Sequence, residues 1–129
     1  MKTKGQIEAE IGEAITKFEK EYMGRGPIDT QTYLVEDMVI VRLRGVLTPA
    51  EQQLAKADDP SRGCRLIKEA RGELLESARM LLATVVQGIT GRGVVSLHTD
   101  ISVTVGERVI IFTLDGQPAC GEKQTEQNC

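Results

Sequence analysis

His98 and Asp100 stand two positions apart in Leu97-His98-Thr99-Asp100-Ile101. In an extended chain that spacing puts both side chains on one face and Leu97 and Ile101 on the other. An imidazole beside a carboxylate suits a pH-sensitive or ligand-binding pair; the plainer reading is the solvated outer face of a strand. Arg25 and Arg92 occupy matching places in Met23-Gly24-Arg25-Gly26 and Thr90-Gly91-Arg92-Gly93. Two guanidinium forks brought together would hold a small oxyanion such as a carboxylate or bicarbonate. Structurally, each could instead satisfy carbonyls at the end of the helix that precedes it. Arg42 and Arg44 share one face of a predicted strand, most simply as a solvated or carboxylate-paired surface, with partner recognition as the other reading.

The usual catalytic sets are missing from the sequence. There is one histidine, so no paired-His zinc site, and Cys64, Cys120 and Cys129 show no ligand spacing. No glycine-rich phosphate loop with its lysine and no GxGxxG after a strand is present. A nucleophilic Cys–His dyad would need His98 to meet a cysteine, two of which lie in a polar C-terminal stretch. The expectation is a non-enzymatic protein with no cofactor and no metal. A net charge of -3, a pI near 5.2 and an aromatic content of 3% argue against nucleic acid, which asks for a basic footprint or stacking rings. No apolar run approaches the roughly 18 residues that would span a bilayer. The N-terminus, Met1-Lys2-Thr3-Lys4-Gly5-Gln6-Ile7-Glu8, has no apolar signal core. We therefore expect a cytoplasmic chain without membrane insertion.

The elements that must position these residues read as one unit used twice: helix, glycine stop, strand, turn, strand. The first helix is expected over residues 6–23, from Ile7, Ile11, Ala14, Ile15, Phe18 and Tyr22 at steps of three and four. Gly12 inside it costs roughly 1 kcal/mol against alanine, so it marks either a poorly optimised position or a close approach of another backbone. Gly24-Arg25-Gly26-Pro27 stops that helix. A hairpin follows over 28–35 and 38–44, with the face carrying Val39 turned to the core. Thr48-Pro49-Ala50-Glu51 is a helix start with a capping box and proline at the first position. Asp59-Pro60-Ser61 opens the longest helix, expected to run unbroken to about Gly88 and to span on the order of 40 Å. At that length it would overhang the sheet or be covered by a second subunit, with Gly72 as a contact point. The second hairpin, 94–103 and 108–114, puts Val95, Leu97, Ile101 and Val103 on one face, and its last strand is apolar on both faces.

Several of these stretches are also familiar together. Lys2-Thr3-Lys4-Gly5-Gln6-Ile7-Glu8, Phe18 to Pro27, Arg44-Gly45-Val46-Leu47-Thr48-Pro49-Ala50-Glu51 and Ser96-Leu97-His98-Thr99-Asp100-Ile101-Ser102 occur in an order that resembles the MpsC-like family. These are small bacterial proteins of unknown function linked to a sodium-translocating, membrane-potential-generating system. The resemblance covers about residues 2–115. It implies an accessory role beside membrane proteins that handle ions or inorganic carbon, and supplies no catalytic residues to carry over.

The resulting expectation is an α+β domain over 1–116. Two hairpins form a four-stranded antiparallel sheet with the helices packed on one face, followed by a polar, disordered tail over 117–129. Met38, Ile40, Val109 and Ile111 are left over as apolar surface and favour a homodimer. Function is expected to be docking on a membrane-protein partner at the inner face of the membrane. A small-anion-binding module using Arg25, Arg92 and His98, with Asp100 beside it, is the alternative.

Overall fold

Thr3 sets the start of the chain's first helix. Its hydroxyl accepts from the Gln6 amide while the Gln6 side chain returns to the Thr3 amide. In this computed structural model, which describes residues 1–121, α1 therefore runs Lys4–Phe18 and continues as a wide π turn over Glu19–Met23. The expected start at Gln6 is corrected to Lys4, because the reciprocal cap satisfies amides that would otherwise be orphaned. Gly24, in the left-handed conformation, ends the segment.

The remaining elements are β1 (Asp29–Val35), β2 (Met38–Arg44), α2 (Pro49–Ala55), α3 (Pro60–Ser77), α4 (Arg79–Thr90), β3 (Val94–Ser102) and β4 (Glu107–Leu114). The strands form one antiparallel sheet in the order β1-β2-β4-β3. Exchanging the two hairpins leaves that order unchanged, as expected of a unit used twice. The helices pack on one face of it. Val39, Val41 and Leu43 from β2 and Ile110, Phe112 and Leu114 from β4 meet Ile7, Ile11 and Ile15 from α1 and Ile67, Leu75, Leu82 and Val86 from α3 and α4. Burying each such side chain contributes about 1.5–3 kcal/mol, so this layer holds the hairpins together.

Three expectations are corrected. The long helix is two helices, broken at Ala78, whose φ of -104° and ψ of 4° leave the helical region. The break replaces the expected single rod with two shorter helices, and a Cβ at Gly72 would meet open space. In β3 the register shifts between Val94 and Ser96, turning Val95 outward to 66% exposure, so it leaves the face it was expected to share with Leu97. At the C-terminus, Pro118 is buried and the Gly121 amide donates to the Lys2 carbonyl. Residues 117–121 thus lie against the domain, and the rest of the expected disordered tail is outside the described residues.

The opposite face of the sheet carries no helix among the described residues. It is made of alternate strand positions, with Ile40 beside Ile111 and Arg42 beside Val109 at its centre.

Candidate functional site

The residues singled out by their chemistry are dispersed. The Arg25 Nε donates to the Gly26 carbonyl at 3.2 Å, and its Nη1 to the Leu47 carbonyl at 3.2 Å. Arg92 donates through Nε to the Gln117 carbonyl at 3.2 Å. Leu47 lies just past β2, beside the start of β4, and Gln117 lies past its end. The two guanidinium groups therefore sit at opposite ends of β4, each tying a loop, and are not brought together.

His98 and Asp100 share the outer face, opposite Ile111 and Val109. Asp100 accepts from the Ile101 amide at 2.8 Å and pairs with Lys68 at 3.4 Å. That amide bond, chiefly, outweighs desolvation and, helped by the lysine, holds the Asp100 carboxyl below its usual range. No hydrogen bond joins it to His98 among the described residues. Arg42 pairs with Glu107, while Arg44 is exposed on the same face. His98 and Asp100 therefore share the outer face with Arg42 and Arg44 but lie apart from both Arg25 and Arg92.

The structure assembles a different cluster in the interior. Arg71 of α3, 1% exposed, makes four hydrogen bonds to three partners. Its Nε and Nη2 make a fork onto Glu51 at 2.8 Å each, Nη1 reaches Glu19 at 3.2 Å, and Nη2 also donates to the Val46 carbonyl at 2.8 Å. Arg108 of β4, 2% exposed, donates to the other oxygen of Glu19 at 3.1 Å. Glu19 itself is wholly buried and sits at the first position of the π turn. Glu51 serves twice, because its carboxylate also accepts from the Thr48 amide to close the cap of α2.

Two cations and two anions balance. Burial opposes the charge on Arg71, but the Glu51 hydrogen bonds and the charges of Glu19 and Glu51 outweigh it and raise its affinity for a proton. Burial likewise pushes the Glu51 carboxyl up, and the bonds from Arg71 and Thr48 bring it below its ordinary range. On Arg108 burial wins, reinforced by the like charge of Arg71, and its affinity for a proton is lowered; its Nε is buried without a hydrogen-bond partner. The cluster locks α1, α2, α3 and β4 to one another, with Arg71, Arg108 and Glu19 buried and Glu51 at its partly exposed margin.

Sequence reasoning placed Glu51 in the cap of α2 but missed the cluster it belongs to, although the other three members carried a signal. Glu19 continues the series Ile7, Ile11, Ile15; Arg71 lies between Ile67 and Leu75; Arg108 precedes Ile110 and Phe112 at the core-facing step of β4. A charge at a phase reserved for a hydrophobe is the mark of a buried ion pair.

The open feature is a groove between α1 and β1, a cavity of about 670 Å3 lined by Glu8, Gly12, Thr16, Lys17, Lys20 and Thr32 among others. Gly12 lets α1 approach β1 closely within it: a Cβ there would come within 3.0 Å of the Thr32 Oγ1. The neighbour at Gly12 is thus a strand's side chain, where the sequence suggested the close approach of another backbone. β1 is a border strand, and the amides of Thr30, Thr32 and Leu34 point away from β2. Glu8 caps the last of these, accepting from the Leu34 amide at 2.9 Å. The Thr30 hydroxyl meets that of Thr16 at 3.0 Å, and the Thr32 hydroxyl is buried without a partner. Such an arrangement can bind by hydrogen bonding and charge.

Residues 3–116 match the family model described as Na+-translocating membrane potential-generating system (MpsC). The chain is 45% identical over 113 residues to the uncharacterized protein YbcI of Bacillus subtilis (strain 168), covering 88% of this chain and 89% of that one. It is 28% identical over 107 residues to the uncharacterized protein YrhF of the same organism, covering 82% and 85% respectively. No solved structure matches it. With the family model spanning nearly the whole folded domain and a relative of this identity aligned along almost its full length, the chain belongs to the MpsC family.

Proposed function

We propose that this protein is a non-enzymatic accessory subunit that docks on a membrane-embedded, ion-translocating partner. The observation that carries the reading is membership of a family described by a Na+-translocating, membrane-potential-generating system. Among the described residues no helix is long and apolar enough to cross a membrane, so a part in such a system is most simply played by contact with a partner. The buried charge cluster supports a rigid body: four elements are tied through Arg71 and Glu19, leaving the groove and the outer sheet face as surfaces for contact. In this reading the protein works on the cytoplasmic side and forms a homodimer through the outer face, where Met38, Ile40, Val109 and Ile111 lie together.

The experiment is affinity capture of the tagged full chain from native membranes, followed by mass spectrometry. Co-purification of ion-translocating membrane subunits at low salt is expected. Full recovery of the chain in the soluble fraction with no membrane protein bound would overturn the proposal.

A further inference from the structure

We propose that the groove between α1 and β1 receives an extended peptide segment of a partner protein, added to the sheet as a fifth strand antiparallel to β1. This deepens the accessory reading by naming the surface that holds the partner, and rests on that reading only for where the partner resides. The free backbone groups are those of Thr30 and Thr32, whose amides and carbonyls face outward with no hydrogen bond among the described residues. An added strand satisfies such groups, and its side chains then meet whatever lines the border. Glu8 marks one end of the free stretch, its carboxylate taking the Leu34 amide as a neighbouring strand's carbonyl would.

For a strand running antiparallel to β1, charge fixes which end of the segment is basic and which is acidic. α1 runs antiparallel to β1, since Glu8 meets Leu34 and Thr16 meets Thr30. Glu8 therefore lies at the Leu34 end of the groove, Glu13 near its middle beside Gly12, and Lys17 and Lys20 toward and beyond the Thr30 end. Neither lysine is held in an ion pair among the described residues. A strand antiparallel to β1 enters at Glu8 and leaves at the lysines. The segment that fits has a basic residue at its N-terminal end, a small residue where Gly12 narrows the groove, and an acidic residue or free carboxylate at its C-terminal end. From Glu8 to Lys20 the helix rises about 18 Å, the reach of about five extended residues. A second copy of β1 fits poorly: paired antiparallel, its Asp29 would fall beside the Glu8 carboxylate.

The test uses the full chain and two sets of synthetic hexapeptides. One is basic at its N-terminal end and acidic at its C-terminal end, with a central serine or alanine; the other has the charges reversed. Fluorescence polarisation is expected to show the first set binding about fivefold to tenfold more tightly than the second, the size of two surface ion pairs. Amide exchange at Thr30 and Thr32 is expected to slow on binding. The variant Lys17→Glu/Lys20→Glu, changed only at exposed positions, leaves acidic groups at both ends of the groove and is expected to abolish the preference. No binding by either set at about 1 mM, equal binding by both, or unchanged exchange in β1 would overturn the proposal. Membrane capture that survives Lys17→Glu/Lys20→Glu would remove this surface while keeping the accessory reading. Peptide binding without membrane capture would do the reverse.

Discussion

Replacing Arg71 by methionine probes whether the interior cluster is a connected unit. The substitution keeps most of the side chain's length and removes four hydrogen bonds, two to Glu51, one to Glu19 and one to the Val46 carbonyl. Glu51 is partly exposed, with 18% of its side-chain surface accessible, and can rehydrate. Glu19 cannot: at 0% exposure it keeps only the Arg108 contact at 3.1 Å. Breaking a buried pair from one side costs about 3–5 kcal/mol, a large part of the roughly 5–15 kcal/mol that holds a domain folded. With a urea slope of about 2 kcal/mol per molar, the unfolding midpoint of Arg71→Met should fall by about 2 M. Arg71→Lys keeps the charge but has no fork to span Glu51 and Glu19, and should fall between the two. Adding Glu19→Gln to Arg71→Met should cost less than the two single losses summed, by at least about 1 kcal/mol, because each removes the other's partner. A stability for Arg71→Met within about 0.5 kcal/mol of the parent, the range of an ordinary surface substitution, would refute the reasoning. So would strict additivity in the cycle.

The other predictions concern separate parts of the molecule. The folded Glu51 carboxyl titrates below its ordinary value of 4.5. Its stabilising contribution is therefore complete above about pH 4.5 and lost as pH falls through the lower folded value; Glu51→Gln should flatten the stability profile in that acid window, followed by urea unfolding at stepped pH. Gly12→Ala gains up to about 1 kcal/mol of helix propensity, but its methyl meets the Thr32 Oγ1 at 3.0 Å. It should be close to neutral alone and stabilising by about 1 kcal/mol in a Thr32→Ala background, measured as a double-mutant cycle. Ile40→Asp places a charge at the centre of the outer sheet face and should turn the proposed homodimer into a monomer by analytical ultracentrifugation, with the far-ultraviolet circular dichroism unchanged.

What the sequence made legible was whatever is decided locally. Thr48-Pro49-Ala50-Glu51 announced the start of α2 through a capping box that the structure contains. Val39, Val41 and Leu43 announced the core face of β2, and all three are buried. The break at Ala78 was hidden because the buried series Ile67, Arg71, Leu75, Ala78, Leu82, Val86 keeps steps of three and four straight through it, and alanine is the best helix former. The bulge in β3 was hidden because Val94 and Val95 are interchangeable by hydropathy; only pairing with β4 decides which one turns inward. The groove depends on strand order, since β1 offers free amides only by lying at the border of the sheet, and no residue within Asp29–Val35 records that. Gly12 was the one trace of it in the sequence.

The bulge between Val94 and Ser96, with the Lys68–Asp100 pair beyond it, also bears on how copies of this protein could accumulate. That margin is kinked and charged, and a sheet finished in this way resists stitching to another chain. The margin formed by β1 is straight and part-open. A layer with a single usable hem has a valence of one: it accepts one guest strand along β1 and has no second usable margin of its own. Growth into fibres from copy to copy is closed off by geometry, which leaves the open hem to serve recognition.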